Sequence, residues 1–89
     1  MTAAERLLED GYEDVVIFAD YSYDDALIGV TSDNRAVYDY EKMVLWLPKT
    51  EGWSEDEAIE WIEYNTFRAL PYGGAAAPVI MHPIRSDCV

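Results

Sequence analysis

Leu27-Ile28-Gly29-Val30-Thr31-Ser32-Asp33-Asn34-Arg35-Ala36-Val37-Tyr38-Asp39-Tyr40 is the stretch whose reading decides the fold. Leu27 to Thr31 and Arg35 to Tyr38 are short runs of strand character on either side of Ser32-Asp33-Asn34, a cluster of turn-forming residues. This pattern predicts a β-hairpin. Asp39 is then placed to cap a helix in which Tyr40, Met43, Val44 and Leu47 recur at helical spacing, and Pro48 is expected to end it. Met43-Val44-Leu45-Trp46-Leu47 is apolar nearly all round, so this helix is expected to be buried on more than one side or to face another chain.

Downstream, Ser54-Glu55-Asp56-Glu57 is a capping box: Ser54 accepts from the backbone of Glu57 while the Glu57 side chain reaches back. Ala58, Trp61, Ile62, Asn65 and Ala69 form the expected inward stripe, with Asp56, Glu60, Glu63 and Tyr64 outside. Leu70-Pro71-Tyr72-Gly73-Gly74 ends the helix, and Pro78-Val79-Ile80-Met81-His82-Pro83 reads as a last strand whose prolines favour a sheet edge. Upstream, Val15-Val16-Ile17-Phe18-Ala19 reads as a short buried strand. Residues 3–8 form a short helix, stopped by Gly11, that must dock to persist. The expectation is one α+β domain over residues 1–89. A small, mainly antiparallel sheet of three to four strands carries two main helices on one face, with the short helix at the N-terminus.

The charge is lopsided. Eighteen acidic residues stand against six basic ones, for a net charge of −12 in 89 residues. The surplus opposes the compact state unless a partner offsets it. Three Trp, seven Tyr and two Phe give enough apolar bulk to fold, which sets the chain apart from a disordered acidic tail. The basic residues Arg6, Arg35, Lys42, Lys49, Arg68 and Arg85 are scattered. Nucleic acid and anionic membranes recruit basic patches, so neither is an expected partner. Basic proteins are. The single Cys88, the lack of a signal-like N-terminus and the lack of an apolar run of about 20 residues predict a soluble cytoplasmic protein.

Chemistry is sparse. Cys88 and His82 lie near the end with no orienting third group, and Gly73-Gly74 is too short for a phosphate loop. The oxygens of Asp20-Tyr21-Ser22-Tyr23-Asp24-Asp25 alternate as in the first half of an EF-hand loop. Asp25 then stands where glycine is required and Thr31 where a bidentate Glu is required, so a solvated acidic turn is expected rather than a calcium or magnesium site. No zinc ligand set is spaced recognisably. Any acid-rich surface supplies by accident the carboxylate spacing of a glycoside hydrolase, and so small a domain leaves little room for a cleft. Neither catalysis, nor a cofactor, nor a metal is expected.

Recognition is the better reading. Tyrosine interleaves with acid at Tyr12-Glu13-Asp14, Asp20-Tyr21, Tyr23-Asp24-Asp25, Tyr38-Asp39-Tyr40-Glu41 and Glu63-Tyr64. Tyr supplies rigid contact area and carboxylates take forked bonds from arginine, although tyrosines in the core and acids kept for solubility would give the same pattern. The candidate partner-binding residues are Asp20, Tyr23, Asp24, Asp25, Asp33, Asp56, Glu60, Glu63 and Tyr64. Trp46 is the candidate contact for a homodimer.

The segment from Asp33 to Tyr72 also carries a likeness. Arg35-Ala36-Val37-Tyr38-Asp39-Tyr40-Glu41-Lys42-Met43, Gly52-Trp53-Ser54-Glu55-Asp56-Glu57-Ala58 and Glu60-Trp61-Ile62-Glu63-Tyr64-Asn65-Thr66 lead to Arg68-Ala69-Leu70-Pro71-Tyr72. This resembles a group of small acidic proteins encoded by phages and prophages of Gram-positive gut bacteria. The resemblance implies an origin rather than a mechanism. Small acidic phage proteins include inhibitors of host CRISPR and restriction systems, so the expectation is an inhibitor that occupies a basic nucleic-acid-binding surface of a host complex, a CRISPR effector foremost. The alternative is a phage accessory protein that forms a homo-oligomer through its apolar helix.

Overall fold

A computed structural model describes residues 2–18 and 21–84. Helix α1 (Ala3–Glu9) precedes a long connection that ends in a 3-10 turn (Asp24–Ala26). Strands β1 (Leu27–Val30) and β2 (Ala36–Asp39) follow, then helices α2 (Tyr40–Glu51) and α3 (Glu55–Trp61). From α3 the chain winds on through a π-helical turn (Ile62–Thr66), one more α-helical stretch (Phe67–Ala69) and a 3-10 segment (Leu70–Ala76) to β3 (Val79–Met81). The fold is α+β, with a mixed sheet in the order β1-β2-β3. β1 and β2 are antiparallel, β2 and β3 parallel. The long helical return between β2 and β3 is what a parallel pair requires. α2 packs on β2, and α3 packs against α2.

The expected hairpin forms. Its tip closes with the Thr31 N–H donating to the Arg35 carbonyl at 2.8 Å and the Arg35 N–H to Thr31 Oγ1 at 2.9 Å. Asn34 takes the left-handed conformation (φ 68°) that such a tip needs and that Asn tolerates well. Arg35 Nε donates to the Ala77 carbonyl at 2.8 Å, tying the hairpin to the approach to β3.

Both expected helix starts are present. Asp39 accepts from the Lys42 N–H at 3.2 Å, and Ser54 and Glu57 form the reciprocal capping box. A second capping box, Thr2 with Glu5, starts α1. Pro48 does not end α2, which continues to Glu51. A proline in the last turn removes a single donor, and Gly52, at φ 76°, closes the helix by donating to the Pro48 carbonyl at 2.9 Å. α2 is packed on more than one side, against β2, α3 and the Asp24–Ala26 turn. Met43, Val44 and Leu47 face the core, while Leu45 is 62% exposed.

The run Val15-Val16-Ile17-Phe18 is not a strand, and Ala19 lies outside the described residues. Its apolar groups serve packing instead. Phe18 meets Tyr23 edge-on at 5.7 Å and Tyr38 at 4.8 Å. A short apolar run carries no period that would separate a ladder strand from a packed loop.

The inward stripe of α3 also departs from its expected course. The Phe67 N–H donates to the Ile62 carbonyl five residues back, the mark of a π turn. The extra residue in that turn rotates the helix beyond it. Thr66 is therefore buried where Asn65 was expected, and Asn65 and Ala69 are exposed. Asn65 Nδ2 donates to the Trp61 carbonyl at 3.2 Å.

The core centres on Tyr23, Tyr38, Met43, Leu47 and Ile62, each no more than 1% exposed. Burial pushes the Tyr38 phenol up to about 12, the Phe18 backbone offsetting part of this, so it stays neutral through the physiological range. Tyr23 adopts φ 47°, a strained conformation for a bulky residue, and is held there by packing and by a 2.8 Å hydrogen bond to Thr66 Oγ1. Thr66→Val removes that bond at nearly constant volume. Denaturant unfolding should show a loss of about 1–2 kcal/mol. α1 is docked differently: the Ala3 N–H donates to Asp24 Oδ1 at 2.7 Å and Arg6 Nη1 to the Asp24 carbonyl at 2.6 Å. Asp24→Ala should cost about 1 kcal/mol and speed amide exchange in α1 ahead of the sheet.

Candidate functional site

The capping box fixes where α3 begins, and that start sets the direction of every acid along it. Asp56, Glu60, Glu63 and Tyr64 are all exposed along α3 and the π turn that follows it. The other candidates divide. Asp25 is exposed beside Lys49, Oδ2 to Nζ 3.8 Å, where its charge is locally balanced. Asp33 is exposed at the hairpin tip and accepts from the Thr31 hydroxyl, which holds its carboxyl below the usual range and keeps it ionised. Asp20 lies outside the described residues.

Three assignments need correction. Tyr23 is 1% exposed, so it cannot touch a partner; burial of its ring holds the core together. Asp24 is part-buried, and its carboxylate is spent on the first turn of α1. Trp46 is only partly exposed, with its ring 6.2 Å from Tyr21 and 5.4 Å from Tyr23, so it belongs to the aromatic core rather than to a free dimer face. The exposed apolar side chain of α2 is Leu45.

Residues 57, 60, 61 and 64 stand at i, i+3, i+4 and i+7, the spacing of one helical face. Glu57, Glu60, Trp61 and Tyr64 thus form a stripe, and Trp53 folds back over it, its ring 5.6 Å from that of Trp61. Together with Asn65 they line a groove of about 330 Å³. Tyr21 packs against both indoles, edge-on to Trp53 at 5.8 Å and to Trp61 at 5.5 Å. The Trp61 indole Nε1 is buried without a hydrogen-bond partner among the described residues. The sequence places Trp61 on the inward stripe and Glu57 in the capping box. The signal left unread was the four-residue stripe itself.

Electrostatics sharpen the groove. Hydrogen bonds from the Ser54 backbone and hydroxyl hold the Glu57 carboxyl below its usual range, so it is charged at neutral pH. No ion pair or hydrogen bond engages the Glu60 carboxylate among the described residues. The Arg68 guanidinium stands 5.4 Å over the Tyr64 ring. Glu63 turns to the other flank, where burial first and then the Glu63 carboxylate raise the Tyr40 phenol. Tyr40 in turn packs on His82 at 4.7 Å.

Carboxylates and aromatic faces suit the recognition of cations, and the groove holds no nucleophile paired with a base. Among the described residues no group of three or more His, Cys, Asp or Glu is placed to hold a metal, and no helix is long and apolar enough to cross a membrane. Cys88 lies outside the described residues. Comparison with protein-family models, curated proteins and solved structures finds no match to this chain.

Glu57→Gln isolates the charge in the capping box, because glutamine can make the same hydrogen bond. A carboxyl lowered in the folded state stabilises above its unfolded value, near 4.5, and loses that contribution as pH falls through the native value. Thermal melts should therefore find wild type ahead of Glu57→Gln at pH 7 and the gap closing below about pH 4.

Proposed function

We propose that the protein is a non-catalytic inhibitor that occupies a basic, nucleic-acid-binding surface of a host defence complex, working in the host cytoplasm. A CRISPR effector is the foremost candidate target. One observation carries this reading: the acids of α3 and its π turn are exposed to solvent, while Arg6, Arg35 and Lys49 are engaged away from that helix. Arg6 is bound to Asp24, Arg35 to Ala77 and Lys49 to Asp25, and Arg68 lies on Tyr64. An unbalanced acidic face steers a basic partner toward it and competes with the phosphates that partner normally binds. The likeness to small acidic phage proteins supports the same reading, and a phage origin is part of it.

The homo-oligomer reading is weaker. It needs an apolar face on α2, and Leu45 is the large hydrophobic side chain that α2 exposes. Mutual repulsion at a net charge of −12 works against it too.

Glu60→Lys with Glu63→Lys reverses charge beyond the first helical turn, leaving the capping box and helix dipole undisturbed. In pull-downs from lysates that contain CRISPR and restriction complexes, wild type should retain a nucleic-acid-binding complex. The double variant, folded by circular dichroism, should lose about tenfold or more of that binding. Raising salt from about 0.1 to about 0.5 M should weaken the wild-type complex, and a nucleic-acid competitor should displace it. Undiminished binding by the folded double variant would overturn the proposal.

A further inference from the structure

We infer that the groove between Trp53 and the Glu57–Glu60–Trp61–Tyr64 stripe is an arginine-binding site, which receives one guanidinium side chain of the basic partner. This rests on the reading of the protein as a binder of basic surfaces, and it adds a specific anchor that charge alone does not supply.

Charge complementarity names the occupant. Two carboxylates, Glu57 and Glu60, line the groove and no basic side chain does. Glu57 commits Oε1 to the Ser54 N–H at 3.0 Å, and the lowered pKa keeps the group anionic at neutral pH. Asn65 donates through Nδ2 to the Trp61 carbonyl, which leaves Oδ1 as its acceptor. The groove is thus rich in acceptors, and a guanidinium is a planar set of five donors with none to clash.

The walls select arginine over lysine. Trp53, Trp61 and Tyr64 present aromatic surface, on which a weakly hydrated planar guanidinium stacks better than a compact, strongly hydrated ammonium. The chain already makes such a contact, with its own Arg68 5.4 Å over the Tyr64 ring. The π turn matters here. By adding a residue after Trp61 it leaves Tyr64 and Asn65 both exposed at the groove's end and sends Thr66 inward. π turns recur at functional sites for this kind of re-aiming.

The test uses the isotope-labelled full chain and the blocked peptide acetyl-Gly-Arg-Gly-amide, followed by the indole N–H signals of Trp53 and Trp61, with Trp46 as the reference outside the groove. Saturable shifts of Trp53 or Trp61 that exceed those of Trp46 are expected. The matching lysine peptide should bind at least about threefold more weakly. Tyr64→Ala and Glu60→Gln, both at exposed positions, should each weaken the arginine peptide about threefold or more without changing the thermal midpoint. No saturation, or equal shifts with both peptides, would overturn the assignment.

The same variants separate this inference from the broader one. If Tyr64→Ala holds a host complex as tightly as wild type while the charge-reversed protein releases it, the inhibitor reading stands and the arginine site falls. If the peptide saturates the groove but no host complex is retained, the site stands and the inhibitor reading falls.

Discussion

The hydrogen bond between the buried Tyr23 hydroxyl and Thr66 is the constraint from which the rest of the structure follows. Tyr23 ends the long connection after α1 in a left-handed backbone conformation, an unfavourable state for a bulky side chain. Its ring is held by Phe18, Tyr21, Tyr38 and Trp46, with centroids 5.4–6.3 Å away. Thr66 can reach it because the π turn brings that residue to the inner side of the helix. Loop, sheet and helix therefore meet at one side chain, and the strain at Tyr23 persists because packing from three directions fixes it.

The groove is the outward consequence of the same contact. Tyr21 lies two residues before Tyr23 and touches Trp46, Trp53 and Trp61 edge-on, so fixing Tyr23 also helps to hold the indoles that line the groove. The extra residue that sends Thr66 inward leaves Tyr64 and Asn65 outside. A core-building device and a surface-shaping device are here one backbone irregularity. The acids then decorate a folded scaffold, whose surface is ordered before any encounter. That separates this surface from a flexible acidic tail, whose ordering cost would fall due at each encounter.

Some of the acids turn out to be structural. Asp24 holds α1, Asp39 starts α2, and Glu5 and Glu57 complete capping boxes. These carboxylates sit at helix starts, where backbone N–H groups and the positive dipole end accept negative charge. The surplus left free at the surface is therefore smaller than the net charge suggests, and it is spread over Glu60 of α3 and the exposed Glu9, Asp10, Glu13 and Asp14 near the N-terminus.

The sequence by itself determined the local features: the hairpin with its turn at residues 32–34, the Asp39 and Ser54 helix starts, the strand at residues 79–81 and the α+β class. The hairpin tip and the helix starts depend on contacts within a few residues, such as a side-chain oxygen facing an N–H three positions on, whereas β3 shows in its apolar run although its ladder partner β2 is distant in sequence. It also marked Asp56, Glu60, Glu63 and Tyr64 as exposed, because the helical period runs on from a well-marked start until the π turn shifts it. Only the tertiary structure decided the rest. That Val15, Ile17 and Phe18 pack against the core rather than join the sheet, that Tyr23 is buried and Trp46 partly so, and that a π turn rotates the helix after Trp61 all depend on partners distant in sequence. The groove belongs to this second group. Its stripe was legible as i, i+3, i+4 and i+7, but the folding of Trp53 over that stripe, with Tyr21 beneath, is a matter of tertiary packing that no local pattern encodes.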